Sequence, residues 1–299
     1  MPPDVCFIVP SYRSRKTIRA TVDSIYAQRT ETSIEVLVID SSGDDTADWL
    51  KGLYPDVRVL ESETRLFAGA ARNRGARETT APLLAFLDAD ASLAPDWLES
   101  LLARLTAHPD LALIGGAVVN ANPESLPSRL LYWIEFSEYL PGLPSGPRTA
   151  LSSSNLLVRR EDFLARGGFD ASYGMAEDLL LCRKWREGLF FEGKAQISHS
   201  HRSAWKDVRD HLQALGHWSG RYRASHPSSG AWLRRIPLAS FGLPMLRAPR
   251  ILTRLFRGNW TEGAKAMLYS PLLVWALFWW TAGFQEGLRS GLNDQATDP

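Results

Sequence analysis

The sequence predicts an α/β fold, with a mostly parallel sheet covered by helices on both faces and a helical extension behind it. Two observations predict the sheet. Over the first 120 residues short apolar runs alternate with segments of helical periodicity, and runs such as Val5–Val9 (VCFIV) and Glu35–Ile39 (EVLVI) are continuously apolar. Strands of that kind are buried on both faces, as parallel strands with helical crossovers are. A third observation predicts the extension. Between Arg202 and Arg257 eleven Lys/Arg stand against two acids, and 266–285 carries no charge over twenty residues.

The elements follow in order. Val5–Val9 is the first strand, and Arg13–Gln28 places Ile18, Val22 and Ile25 at helical spacing. Glu35–Ile39 is the second strand, Asp44–Leu53 a helix, and Val57–Leu60 the third strand. Phe67–Thr79 is a helix of small residues, and Leu83–Leu87 is the fourth strand. Pro95–Ala107 is a helix with Pro in its first turn, where no amide donor is needed. Leu111–Val119 is the fifth strand. Pro141–Pro147 (PGLPSGP) is too rich in Pro and Gly for regular structure, and Leu151–Arg159 returns as a strand. Glu177–Glu187 is a helix closed by Gly188, and Ala204–Ala224 a longer one with a basic stripe. Pro237, Pro244 and Pro249 divide the remainder into short helical pieces. Residues 1–200 are expected to form one α/β domain and 201–299 a helical region.

Composition narrows the functional classes. The chain has 299 residues, 45% of them hydrophobic, enough for a substantial core. A net charge of +1 gives no bulk field for nucleic acid. Cys6 and Cys182 have no metal-type or redox-type partner nearby, which fits a reducing compartment. The N-terminus has the reverse order of a secretory signal, and none is expected.

In open parallel sheets ligands gather at the carboxyl ends of strands. Here the first strand runs into Pro10-Ser11-Tyr12, the second into Asp40, and the fourth into Asp88-Ala89-Asp90. The first turn, PSYRSR, has none of the glycines a dinucleotide fingerprint needs, so a nicotinamide or flavin enzyme is excluded. Asp88 and Asp90 stand two apart in extended chain and project to one side. Two carboxylates so placed repel unless a cation lies between them, and a hard ion such as Mg²⁺ or Mn²⁺, shared with phosphate oxygens, satisfies both. Arg72, in a run of small residues, can reach a phosphate or a base at the sheet edge. Glu177 and Asp178 open a helix, where acids suit the helix dipole, and either can also serve as a general base. His199 and His201 can include one metal ligand.

Taken together, P-S-Y…Q, V-I-D, A-G-A-A-R-N-x-G, L-D-A-D, G-G-F-D…E-D and H-x-H, in that order from Asp4 to Tyr222, resemble glycosyltransferase family 2 enzymes of GT-A fold. The resemblance implies an inverting transfer from a nucleotide-diphosphate sugar to an acceptor hydroxyl on a glycan, lipid or small molecule. It implies that Pro10, Ser11, Tyr12 and Asp40 hold the base and ribose, with Arg72 on the nucleotide side. Asp88 would contact ribose or metal, and Asp90 would bind Mg²⁺ or Mn²⁺ through the diphosphate. His199 aligns with a metal- or diphosphate-contacting His of some members. Asp178 would be the base, with Glu177 the other candidate. The chain departs from the pattern after Asp40, where Ser41-Ser42-Gly43 replaces the common Asp-Gly-Ser.

The strand followed by Asp88-Ala-Asp90-Ala-Ser92 also resembles the first motif of haloacid-dehalogenase-like phosphatases, in which Asp88 would be a nucleophile. A non-catalytic membrane scaffold of the same fold is a third reading. Trp205, Trp218, Tyr222 and Trp232 interleave with arginines in the C-terminal region, a mixture suited to lipid headgroups. The uncharged run is just long enough to span a bilayer. Arg254, Arg257 and Lys265 before it predict a catalytic domain on the cytoplasmic face. The competing expectation is that these helices pack on each other, or on a second subunit in an oligomer.

Overall fold

The computed structural model describes residues 2–185, 187–226, 233 and 236–296, and it divides into two compact units. One unit comprises residues 1–119 and 144–200, the other 120–143 and 201–299.

The first unit is built on one sheet. Its strands are β1 (Val5–Ser11), β2 (Ile34–Asp40), β3 (Arg58–Glu61), β4 (Leu83–Leu87), β5 (Ala91–Leu93), β6 (Leu113–Asn120), β7 (Gly146–Pro147), β8 (Asn155–Arg159) and β9 (Leu189–His199). Their order across the sheet is β3-β2-β1-β4-β8-β6-β9-β5, with β7 on β9. The strands β3, β2, β1 and β4 are mutually parallel. β8 is antiparallel to both β4 and β6, so β6 runs in the same direction as the first four. All five expected strands therefore share one direction, and the returning strand is inserted among them.

Helices α1 (Ile18–Tyr26), α2 (Thr46–Leu53), α3 (Ala68–Glu78), α4 (Trp97–Ala107), α6 (Arg160–Ala165) and α7 (Glu177–Arg183) belong to this unit. The spacing of Ile18, Val22 and Ile25 places all three in the core. α1 starts at Ile18 rather than Arg13, because Arg13 has a left-handed φ of 53° and ends the turn after β1 outside helical geometry. The small residues of α3 serve close packing: a Cβ on Gly75 would lie 2.5 Å from Ile8 Cγ2 on β1. Trp97 on α4 is fully buried and donates Nε1–H to Asn155 Oδ1 at 2.7 Å, while Asn155 Nδ2 donates to the carbonyl of Ala117 at 2.9 Å. This ties the β8 entrance to β6 and α4.

The second unit is helical: α5 (Leu126–Phe136), α8 (Trp205–Ser225), a short 3-10 helix (Pro237–Gly242), α9 (Leu243–Gly258), α10 (Trp260–Leu268) and α11 (Ser270–Ala296). α5 was not expected. Ser125 caps it by accepting from Ser128 N, and Pro127 suits its first turn. Arg129 and Trp133 on α5 hold Glu262 of α10 at 2.7 and 2.9 Å. Pro249 lies inside α9 instead of breaking it, on the exposed side of the helix, where water can serve the carbonyl that a proline leaves without an amide donor. α8 and α11 approach each other through glycines. A Cβ on Gly216 would stand 1.9 Å from Trp280 O, and one on Gly283 1.9 Å from Gln213 O.

Among the described residues no single helix is long and apolar enough to cross a membrane. One pair, Trp260–Leu268 with Ser270–Ser290, passes by length and composition but is bent by 81°. Trp232, one of the aromatics read as a headgroup contact, lies outside the described residues.

Candidate active site

The carboxyl ends of β1, β2 and β4 deliver the residues singled out from sequence. β1 ends at Ser11 and β2 at Asp40, paired across the ladder. Asp40 is buried, 3% exposed, and is held by three donors: Ser11 Oγ at 2.5 Å, Ser42 Oγ at 2.7 Å and Ser42 N at 3.2 Å. Ser42 thus supplies a hydroxyl and an amide at the place where the sequence departs from the family pattern. Pro10 is half-buried beside Ser11. The Tyr12 ring is half-buried and carries the Arg65 guanidinium 4.3 Å from its centroid; Arg65 was not expected to take part.

Asp88 and Asp90 follow β4, and the chain then forms β5, which pairs antiparallel with β9 in the register Ala91↔His199. The amide of Ser200 donates to Asp90 O at 2.8 Å. This pairing brings His199 to the carboxylates: Nε2 lies 3.3 Å from Asp90 Oδ1 and 3.8 Å from Asp88 Oδ2. The three donor atoms fall within 4.8 Å of one another. Neighbouring ligands of an ion with bonds of about 2.1 Å stand roughly 3 Å apart, so the group fits a small divalent cation. Two oxygens and one imidazole nitrogen suit Mn²⁺ at least as well as Mg²⁺. His201 is placed elsewhere, in the helical unit, where its ring lies 5.4 Å from Phe136 and 5.7 Å from Tyr132 and its backbone pairs with Asn122.

Arg72 on α3 is 1% exposed and joins the two acidic motifs. Nη2 donates to Asp88 Oδ1 at 2.5 Å, and Nη1 donates to Glu177 Oε1 and Ser153 Oγ, both at 2.9 Å. The Phe169 ring lies beneath the guanidinium at 5.4 Å. Burial raises the Asp88 carboxyl, but Arg72 and then His199 outweigh it and hold the group below the ordinary carboxylate range. Asp88 therefore keeps one oxygen on Arg72 and turns the other toward His199. Ser153 carried no signal in sequence, since it belongs to no pattern of titratable groups, and Phe169 entered only as part of the G-G-F-D motif.

The two acids of α7 diverge. Glu177 is 8% exposed and turned inward to Arg72, across the space that Gly69 leaves open; a Cβ there would meet Glu177 Cγ at 3.2 Å. Asp178 is half-buried, with Oδ1 accepting from Leu179 N at 2.8 Å. Ala176, the residue before them, has a left-handed φ of 65°, a strained position for a residue with a Cβ. Glu177 is thus committed to Arg72 and Ser153, and the two acids of α7 take separate positions in the site.

The phosphatase reading is not favoured. Its nucleophile ends a first strand, whereas Asp88 ends the fourth, between β1 and β8, with one oxygen bound to Arg72.

A model of the family described as "Glycosyl transferase family 2" matches residues 6–165. The pre-mycofactocin glycosyltransferase of Mycobacterium tuberculosis is 28% identical over 273 residues, covering 86% of this chain and 57% of that protein. The succinoglycan biosynthesis protein ExoO of Rhizobium meliloti is 34% identical over 161 residues, 53% of this chain and 44% of that one. The chain spans about half the length of these curated relatives. Among solved structures, the mannosyltransferase PcManGT from Pyrobaculum calidifontis, in complex with GDP-Man and Mn²⁺, matches with a TM-score of 0.60 at 18% identity, covering 100% of this chain and 88% of that one. GalNAc-T7 with UDP, GalNAc and Mn²⁺ matches with a TM-score of 0.55 at 16% identity, over 77% of this chain and 51% of that one. At these identities the likeness is one of fold, and the fold is GT-A.

Proposed function

Because the chain belongs to glycosyltransferase family 2, we propose that it moves a sugar, with inversion, from a nucleotide-diphosphate donor to an acceptor hydroxyl, assisted by a divalent cation at Asp88, Asp90 and His199. One observation carries the reading: two carboxylates and an imidazole converge at the carboxyl edge of the sheet, beside a buried arginine that also holds Glu177 of α7. The Mn²⁺ and the nucleotide or nucleotide sugar in the neighbouring structures support it.

Each residue then has a task. Pro10, Ser11, Tyr12 and Asp40 line the base and ribose end of the donor, with Asp40 fixed by Ser11 and Ser42. Arg72 locks the rotamer of Asp88 and, through Glu177, seats the first turn of α7 beside the donor site. Asp88, Asp90 and His199 would hold Mn²⁺ or Mg²⁺, which when bound would supply positive charge against the diphosphate leaving group. Asp178 takes the proton of the attacking hydroxyl. We also place the catalytic unit in the cytoplasm, at the inner membrane face, because the basic excess of 202–257 fits an anionic leaflet; cell fractionation tests this placement.

A thermal-shift panel of UDP- and GDP-sugars with Mg²⁺ or Mn²⁺ tests the donor reading. Stabilisation by one nucleotide class only when metal is present is the expected result. Stabilisation by none would support the scaffold reading. A sustained release of phosphate from a generic phosphoester would revive hydrolase chemistry.

A further inference from the structure

We propose that α9 and the 3-10 turn before it form an in-plane docking edge for an anionic lipid surface, held at interfacial depth and not inserted as a span. The outward face of this stretch is apolar at its start and basic at its end. Phe241 is 49% exposed, Met245 53% and Leu246 58%, on consecutive turns. Arg250 and Arg257 continue the same exposed face, and residues 241–257 contain no acid. Large apolar side chains exposed together on one face mark an interaction surface. A helix with such residues beside unopposed arginines matches the chemistry of a headgroup boundary, which offers hydrocarbon and negative charge together.

Charge selects this occupant, and the packing of α8 against α11 selects this depth. A second copy docked through the same face offers no acid from residues 241–257 to pair with Arg250 and Arg257, whereas an anionic headgroup pairs with both. A spanning α11 is excluded by its partner helix. The Trp205 ring at the start of α8 lies 6.1 Å from Trp275 and 6.4 Å from Trp279 on α11. The first turns of α8, with exposed Lys206, Asp207, Arg209 and Asp210, therefore share the level of the apolar part of α11 and would be carried into hydrocarbon with it. The edge on α9 needs no such burial.

Sedimentation of the full chain with vesicles, in the absence of any sugar nucleotide, tests the inference separately from the transferase reading. With phosphatidylglycerol added to phosphatidylcholine, binding is expected to be at least about ten-fold stronger than to phosphatidylcholine alone. The triple variant Phe241→Ser/Met245→Ser/Leu246→Ser should lose about ten-fold or more on anionic vesicles while keeping its melting temperature, since all three side chains are exposed. Should the triple variant fold poorly, Arg250→Gln/Arg257→Gln decides: it should abolish the preference for phosphatidylglycerol. Equal sedimentation of the wild type and the arginine variant overturns the proposal. So does a wild type that light scattering shows to be a dimer and the triple variant a monomer, which would assign the face to a second copy.

Discussion

Replacing Arg72 with Met removes the cation that three groups share and leaves the packing volume nearly filled. In the wild type its guanidinium, 1% exposed, donates at 2.5 Å to Asp88 and at 2.9 Å to Glu177 and Ser153. Removing one partner of a buried pair costs about 3–5 kcal/mol, because the carboxylate left behind stays buried and uncompensated. The Glu177 side chain, 10% exposed, pays that penalty nearly in full, whereas Asp88, 29% exposed, recovers part of its hydration. The expected loss is therefore about 3–4 kcal/mol, a large share of the 5–15 kcal/mol typical of a domain. At roughly 2–4 °C per kcal/mol for a domain of this size, calorimetry should show the transition about 6–16 °C lower. Adding Glu177→Gln to Arg72→Met should restore about 1–2 kcal/mol, since a neutral amide needs no cation, although the same change alone destabilises the wild type. A loss below about 1 kcal/mol, as for an exposed pair, or no recovery in the double variant, would refute the bridging role.

Other outcomes follow from the same geometry. Asp178→Asn should keep metal-dependent donor binding and reduce turnover by at least about 10²-fold, measured as nucleotide release; near-normal turnover would reassign the base to Glu177. Asn155→Ala should lower stability by about 1–3 kcal/mol in urea denaturation, because Trp97 Nε1 and the Ala117 carbonyl lose their partner together. Gly216→Ala drives a Cβ to 1.9 Å from Trp280 O and should destabilise the helical unit by about 1–3 kcal/mol; no change in melting would mean that α8 and α11 are not so closely apposed.

Much of the first unit was legible because its signals are local. Apolar runs ending in Ser11, Asp40 and Asp88 mark the carboxyl edge of the sheet, and two acids at alternate positions mark a candidate cation site. What escaped depends on pairings distant in sequence. No local pattern says that β8 enters antiparallel between β4 and β6, or that β9 runs for eleven residues and lays His199 opposite Ala91. Two histidines were candidates, and strand register, which composition does not encode, brings His199 beside Asp88 and Asp90. Arg72 was chosen for its reach toward a ligand, yet its partners stand 16, 81 and 105 residues away, so its bridging of Asp88 to Glu177 could not be read. The same bridge sets Glu177 apart from Asp178 in position, where sequence offered both as candidate bases. α5 was missed because its proline and serine read as loop until Ser125 is seen capping a buried helix.

The central claim is that Asp88, Asp90 and His199 hold one divalent cation for a donor diphosphate. Titration calorimetry of Mn²⁺ with the cognate nucleotide diphosphate tests it most directly, on the wild type, Asp90→Ala and His199→Ala. Metal-dependent nucleotide binding in the wild type, abolished by Asp90→Ala and weakened by at least about ten-fold in His199→Ala, is the predicted result. Nucleotide binding of equal affinity with and without Mn²⁺, or unchanged in Asp90→Ala, would contradict it.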